Sequence, residues 1–193
     1  MKRRNFLTIA ALTAASSCSR TSPAPGLRVL SGKEARTLEA WVERLIPTDQ
    51  DAGAREAGVV HFIDRLLAGW LKRKRQPWKS ALEGIDRGAF LAYAKPFYEL
   101  EPKRQIALLE QMEAGKASRE AFPDDGGKAA FELVLSYTMM GFYGNPRHGG
   151  NRDYVSWQML GVPAVPVRGR RHRDEAALVE NEKPNSSSGK ETL

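Results

Sequence analysis

The feature that most constrains the fold is an apolar stripe of helical period in VVHFIDRLLAGWLKRKR, residues 59–75. Apolar residues recur there at spacings of three and four, at Val59, Phe62, Ile63, Leu66, Leu67, Trp70 and Leu71. Side chains along a strand alternate between two faces, so this period does not suit a strand. The segment therefore predicts an amphipathic α-helix that buries one wide face.

A helix is also predicted from Ser31. Ser31 and Glu34 have the spacing of a capping box, in which each side chain bonds the other residue's backbone amide. Apolar residues at helical spacing follow at Leu38, Trp41, Val42 and Leu45. Pro47 then disfavours helix in the residue before it, so we expect the helix to end there.

Three later segments complete the pattern. Pro77 suits the first turn of a third helix, whose apolar residues are Trp78, Leu82, Ile85, Phe90 and Leu91. A fourth helix carries Ile106, Leu109 and Met112 on one side, with Gly115 as its C-terminal cap. Residues 127–142 are apolar enough for a buried helix. With no convincing alternating segment, the chain is predicted to be a single all-α domain of five or six helices over residues 31–166.

The N-terminus has the layout of an export signal. Three cations precede a short apolar stretch from Phe6 to Ala15 and then small residues, which predicts a signal over residues 1–18 and a linker over 19–30. Arg3, Arg4, Phe6 and Leu7 match the twin-arginine form, which carries folded proteins; the alternative is an ordinary secretory signal. Loss of the leader removes three cations and lowers the formal net charge from +7 to +4, which does not imply a nucleic-acid partner.

Two further features of the ends remain open. Cys18 is the only cysteine, and it is either lipidated, as in bacterial lipoproteins, or discarded with the signal. A single cysteine excludes an intramolecular disulfide, a cysteine-rich zinc site and a CxxCH haem attachment. Residues 167–193 lose apolar content and are predicted to be a disordered polar tail.

A catalytic constellation is not found in the sequence. Dinucleotide, P-loop, HExxH and GxSxG motifs are absent. His61 is expected on a helix surface, and Asp124 and Asp125 are expected to serve a turn and a helix cap. The cations Lys72 to Arg75 are expected at a helix C-terminus, where they complement the dipole, with a membrane contact left open. We therefore predict no catalytic, cofactor-binding or metal-binding residues in this chain.

The segment GFYGNPRHGGNRDYVSW, residues 141–157, requires more than core packing. Its aromatic residues combine apolar area with polar tips, a mixture enriched at protein interfaces. Its glycines permit positive φ and close approach of backbone, and Asn151 can bond its own backbone. The segment predicts a docking surface. A phosphate-binding loop ranks second because the strand–loop–helix context is missing, and Arg147 and Arg152 disfavour a metal at His148.

These residues resemble the gluconate 2-dehydrogenase subunit 3 family. The matching pieces are the twin-arginine-type leader, LIPTD followed by GAREAGVVHFID, and GFYGNPRHGGNRDYVSWQMLGVP. The resemblance covers about Leu38 to Pro163, although residues 90–105 show no distinctive match. It implies a non-catalytic small subunit of a periplasmic, membrane-associated dehydrogenase complex that oxidises sugars, sugar acids or polyols.

The partners implied by this resemblance carry the cofactors. They are an FAD-containing flavoprotein of the glucose-methanol-choline type and a multihaem cytochrome c, while the twin-arginine translocase exports the assembly. The resemblance implies that this chain stabilises the flavoprotein and supplies its export signal. We expect the interface to be formed or braced by Tyr143, Asn145, Arg147, Asn151, Arg152 and Trp157. The alternative is an independent lipid-anchored binding protein, or a small enzyme that uses the His148 loop.

Overall fold

The computed structural model of the chain describes residues 24–162. Within this range it contains six α-helices and no strand, so the all-α prediction is confirmed. The helices are α1 (Gly32–Leu45), α2 (Val59–Ala68), α3 (Arg75–Tyr93), α4 (Pro102–Glu113), α5 (Lys128–Tyr143) and α6 (Val155–Met159). The predicted signal 1–18 and tail 167–193 lie outside the described residues.

The core lies between α1 and α5, with α2, α3 and α4 packed around them. Its largest side chains are almost fully shielded from solvent: Trp41, Trp78, Phe97 and Phe142. The rings of Trp41 and Phe97 lie 6.4 Å apart, which joins α1 to the short 3-10 helix Phe97–Glu99 that follows α3. Burying a side chain of this size stabilises the fold by roughly 1.5–3 kcal/mol.

Local signals place the ends of two helices as predicted. The backbone amide of Ser31 donates to Glu34 Oε2 at 2.8 Å, and the amide of Glu34 donates to Ser31 Oγ, which closes the capping box. Helix α1 ends at Leu45, two residues before Pro47. Gly115 follows the end of α4 with a φ of +66°, and the next amide bonds back to the carbonyl of Gln111 at 2.7 Å. This is the glycine-dependent helix ending that the sequence predicted.

The apolar stripe that begins at Val59 ends earlier than predicted. Helix α2 stops at Ala68, and Gly69 adopts a non-helical conformation, so the helical register is lost. Trp70, predicted to lie on the buried face, is 93% exposed, whereas Leu71 is buried. A glycine at a helix end lets the chain turn away from the helix axis, which explains the outward position of Trp70.

Three other apolar residues lie on the surface. Phe90 and Leu91 of α3 and Ile106 of α4 are exposed, while their predicted partners Leu109 and Met112 are buried. Phe90 and Leu91 border an open depression that no helix covers within residues 24–162. These segments are helical as predicted, but the face of each helix that is buried is narrower than the face that carries apolar residues.

The basic cluster is also placed differently from the prediction. Lys72 to Lys74 form a 3-10 helix, and Arg75 begins α3, so these cations precede a helix instead of ending one. One of them still serves the end of α2, because Arg75 Nε donates to the carbonyl of Leu67 at 2.8 Å.

A buried carboxylate fixes the N-terminal segment to the helical body. Asp64 of α2 is 2% exposed and accepts three backbone amides: Arg28 at 2.7 Å, Val29 at 2.9 Å and Leu30 at 2.9 Å. Three amide donors replace the water that a carboxylate loses on burial. The part of the predicted linker that the structure describes is therefore held against α2.

Replacement of Asp64 by Asn tests this anchor. One oxygen acceptor becomes an amide donor that faces backbone donors, so we expect Asp64→Asn to lower the free energy of unfolding by about 2–4 kcal/mol in urea denaturation. The matched control is Asp124→Asn at an exposed position, which should change stability by less than about 0.5 kcal/mol. Equal stabilities for the two variants would contradict the role given to Asp64.

Candidate functional site

The two sequence stretches 45–64 and 141–157 meet on one face of the molecule. The backbone amide of Arg152 donates to the carbonyl of Ala57 at 3.0 Å. The guanidinium of Arg152 lies over Gly58, where a Cβ atom would be 3.2 Å from Nη2. Gly58 has a φ of +71° and begins α2. The absence of a side chain at Gly58 therefore lets the second stretch pack on the first.

The loop between α1 and α2 is closed by one carboxylate. Glu56 Oε2 accepts the hydroxyl of Thr48 at 2.6 Å and the amide of Gly53 at 2.9 Å. The Thr48 bond is the main cause that holds the pKa of Glu56 below its ordinary value of 4.5, and burial opposes it. Gly53 is required sterically, because a Cβ atom there would lie 2.5 Å from the backbone nitrogen of Thr48. These contacts explain the pairing of LIPTD with GAREAG in the sequence.

Helices α2 and α5 approach each other at Gly141. A Cβ atom at position 141 would lie 2.7 Å from Cδ1 of Phe62, so only glycine leaves room for the ring. On the same part of α5, Gly150 packs against the carbonyl of Gly141, where any side chain would collide with that oxygen. The predicted close approach of backbone in this segment is confirmed at Gly150.

Asn151 connects the two ends of the segment. Its side chain is fully buried; Nδ2 donates to the carbonyl of Gly144, and Oδ1 accepts the amide of Ser156, both at 3.0 Å. The first bond serves the C-terminal end of α5, and the second serves the first turn of α6, where backbone donors lack partners. The prediction that Asn151 bonds its own stretch of backbone is confirmed.

Trp157 makes a similar connection at the surface. Its Nε1 donates to the carbonyl of Tyr143 at 3.0 Å, and its ring lies 5.6 Å from that of Tyr154. Trp157 is partly buried, and part of its indole remains accessible. Trp157 therefore braces the end of α5 and still presents apolar surface.

The remaining members of the predicted interface differ in exposure. Tyr143, Arg147 and Arg152 are exposed, while Asn145 is half-buried and uses Oδ1 to accept the amide of Arg147 at 3.1 Å. Arg147 Nε donates to His148 Nε2 at 2.9 Å. The six residues thus divide into two groups. Tyr143, Arg147 and Arg152 are exposed, whereas the side chains of Asn145, Asn151 and Trp157 bond backbone groups of the same segment.

An apolar groove opens beside this segment, between the C-terminal ends of α2 and α5. Its volume is about 640 Å³. The side chains and backbone that line it are Phe62, Leu66, Trp70, Leu71, Tyr137, Met140, Gly141, Gly144, Asn145, Arg147 and His148. Two of its apolar residues are strongly exposed, Trp70 at 93% and Met140 at 53%. The lining includes no carboxylate, and its charged side chain is that of Arg147.

Sequence reasoning missed the exposure of Trp70 and Met140. Trp70 was assigned to a buried helix face by its helical spacing, and Met140 lies in a segment that was expected to be a buried helix because it is apolar. For Trp70, the sequence does contain a signal that the helix ends. Gly69 directly precedes it, and four cations, Lys72 to Arg75, begin two residues after it. For Met140 no local signal exists, since its exposure depends on the groove left between two helices.

His61 and Asp125 lie where the sequence analysis expected them. His61 lies exposed on α2, and Asp125 accepts the amides of Gly127 at 2.9 Å and Ala129 at 2.6 Å around the start of α5. Within residues 24–162, no group of three or more potential ligands is close enough together to hold a metal ion. In the same range, no helix combines the length and the apolar character required to cross a bilayer.

Comparison with known families decides the classification. The family model for gluconate 2-dehydrogenase subunit 3 matches residues 32–163, which is more than half of the chain and includes both stretches and the groove. The chain belongs to the gluconate 2-dehydrogenase subunit 3 family. This family is part of membrane-associated dehydrogenase complexes, so membership implies that other subunits are partners of the chain. Neither the curated proteins nor the solved structures include a match.

The bond from Thr48 to Glu56 leads to a prediction about pH. Glu56, with its lowered pKa, stabilises the fold above pH 4.5, and this contribution is lost as the pH falls through the lowered value. We expect Thr48→Val to raise the pKa of Glu56 toward 4.5, as followed by carboxyl-carbon NMR during a pH titration. Thr48→Ser, which keeps the hydroxyl, is the control and should keep the pKa low. An unchanged pKa in Thr48→Val would contradict this assignment.

Proposed function

We propose that this chain is the non-catalytic small subunit of a periplasmic, membrane-associated, FAD-dependent dehydrogenase complex that acts on sugars, sugar acids or polyols. In this proposal it binds and stabilises the flavoprotein subunit. The observation that carries the proposal is the apolar groove between α2 and α5, which lies beside residues 141–157 and within the range that the family model matches.

The groove has the composition of a protein-docking site. Trp, Tyr, Met and Arg are enriched in interfaces, and a few such residues usually supply most of the binding energy. Trp70, Met140 and Arg147 line the groove, and Tyr143 is exposed next to it at the end of α5. Exposed apolar groups in a concave site favour a partner that fills it.

The adjoining segment supplies the rigidity that docking requires. In the proposal, Tyr143, Arg147 and Arg152 contact the partner, because their side chains are exposed. Asn145, Asn151 and Trp157 act by holding the backbone through the hydrogen bonds described above. A surface already fixed in its bound shape loses less conformational entropy on association.

The cofactors in this proposal belong to the partners. FAD lies in a flavoprotein of the glucose-methanol-choline type, and haem c lies in a multihaem cytochrome, which this chain contacts directly or through the flavoprotein. The leader with Arg3, Arg4, Phe6 and Leu7 engages the twin-arginine translocase and exports the folded pair. A lipid on Cys18, if added, would tether the complex to the membrane.

Substitution inside the groove tests the docking proposal. Met140→Glu places a charge in the apolar lining, so we expect it to weaken association with the proposed flavoprotein partner by at least about tenfold in Kd. The measurement is calorimetric titration of the two purified subunits. The matched control is Ile106→Glu on α4, an apolar residue of similar exposure away from the groove.

The control should bind as the unsubstituted chain does, and both variants should keep their melting temperatures within a few degrees. Equal affinities for Met140→Glu and the unsubstituted chain would overturn the assignment of the groove. Oxidation of a sugar by the purified small subunit alone would overturn the accessory role and favour the enzyme that uses the His148 loop.

A further inference from the structure

The turn that joins α2 to α3 carries a feature that the groove does not explain. We call residues 69–75 the Trp70 turn. Its only buried residue among positions 69–74 is Leu71, which fastens the turn to the core. The indole of Trp70 is 93% exposed, and Lys72, Arg73 and Lys74 form an exposed 3-10 helix directly after it.

Within residues 24–162, none of Lys72, Arg73 and Lys74 forms an ion pair with a carboxylate. They also precede the N-terminus of α3, where the helix dipole disfavours positive charge. The cluster therefore does not stabilise the helix that it adjoins, and its charge is available to an anionic surface.

We propose that the Trp70 turn docks on a bilayer that contains anionic phospholipid. Each Lys or Arg near such a surface contributes about 1 kcal/mol, and the amphipathic indole of tryptophan is favoured at the membrane–water interface. The turn combines both elements within five consecutive residues, from Trp70 to Lys74. The ligand is the phosphate-bearing headgroup layer, with the indole inserted among the headgroups.

The shape of the turn favours a bilayer over a protein partner. Protein hot spots usually lie at the centre of an interface, in well-packed pockets that become fully desolvated. Apart from Leu71, every residue from Gly69 to Lys74 is exposed, and Lys72, Arg73 and Lys74 are not among the residues that line the groove. A headgroup layer binds such a projecting cluster without a complementary cavity. Trp70 stands where the two surfaces meet, since it also forms the outer rim of the groove.

This inference does not depend on the proposed docking of a flavoprotein. The groove variant Met140→Glu leaves the cations and the indole of the turn in place. The two proposals therefore fail separately.

Vesicle binding tests the inference. The chain is used from Ser19 onward, because the apolar stretch of the leader would itself enter vesicles. We expect it to co-sediment with vesicles of phosphatidylglycerol and phosphatidylcholine in equal parts, and to stay in solution with pure phosphatidylcholine. Tryptophan fluorescence should shift to the blue on binding, mainly through Trp70, since Trp41 and Trp78 are buried and Trp157 is partly buried.

Two variants separate the contributions. Replacement of Lys72, Arg73 and Lys74 together by Glu should lower the partition coefficient more than about a hundredfold, and Trp70→Ala should lower it about tenfold. The matched control replaces Lys95, Lys103 and Lys116, which are exposed on other elements, by Glu. It makes the same change in net charge and should lower binding by less than about threefold, because salt screens distant charges.

Three outcomes would overturn the inference. One is equal binding to both kinds of vesicle, and another is an equal loss in the control and in the triple variant of the turn. The third is no binding to the anionic vesicles, whatever the effect of Trp70→Ala on the flavoprotein, because Trp70 also lines the groove.

Discussion

The functional face depends on the close approach of two helices at Gly141. Because this residue has no side chain, the ring of Phe62 reaches the backbone of α5, and a Cβ atom there would lie 2.7 Å from it. The contact sets α2 against the C-terminal part of α5, and the groove is lined by residues of both helices. Gly150 then packs on the carbonyl of the same residue. One missing side chain thus places both the groove and the segment that borders it.

Polar side chains hold this arrangement by bonding backbone groups that would otherwise lack partners. Asp64 holds residues 28–30 against α2, Glu56 closes the loop before α2, and Asn151 joins the end of α5 to the start of α6. Each acts on backbone amides or carbonyls at the ends of elements, where helices leave groups unsatisfied. The family motifs LIPTD, GAREAG and GFYGNPRHGGNRDYVSW therefore include a set of residues that shape one surface.

Much of the fold could be predicted because its signals are local. The capping box at Ser31 and the glycine after α4 depend on residues three to five positions apart, and both were predicted correctly. Asp64 was not recognised as an anchor, since its three partners are 34 to 36 residues away and nothing near it marks the contact. Trp70 was misplaced because helical spacing continues past Gly69 in the sequence, although the helix does not.

The candidate site could be predicted only in part, because some of its features depend on contacts between residues that are far apart in the sequence. The composition of residues 141–157 indicated close backbone approach and a bonding role for Asn151, and the structure shows both. The groove itself was not predicted, because it arises where α2 and α5 meet and no single segment encodes it. Its most exposed members, Trp70 and Met140, look like core residues in the sequence.

Hydrogen exchange of this chain, with and without the proposed flavoprotein partner, tests the central claim most directly. We predict that the amides of residues 137–148 exchange at least about tenfold more slowly in the complex, because a partner that fills the groove excludes water and restricts local opening. Unchanged exchange at these amides, together with protection around Phe90 and Leu91 on α3, would contradict the account and assign the interface to the depression that these two residues border.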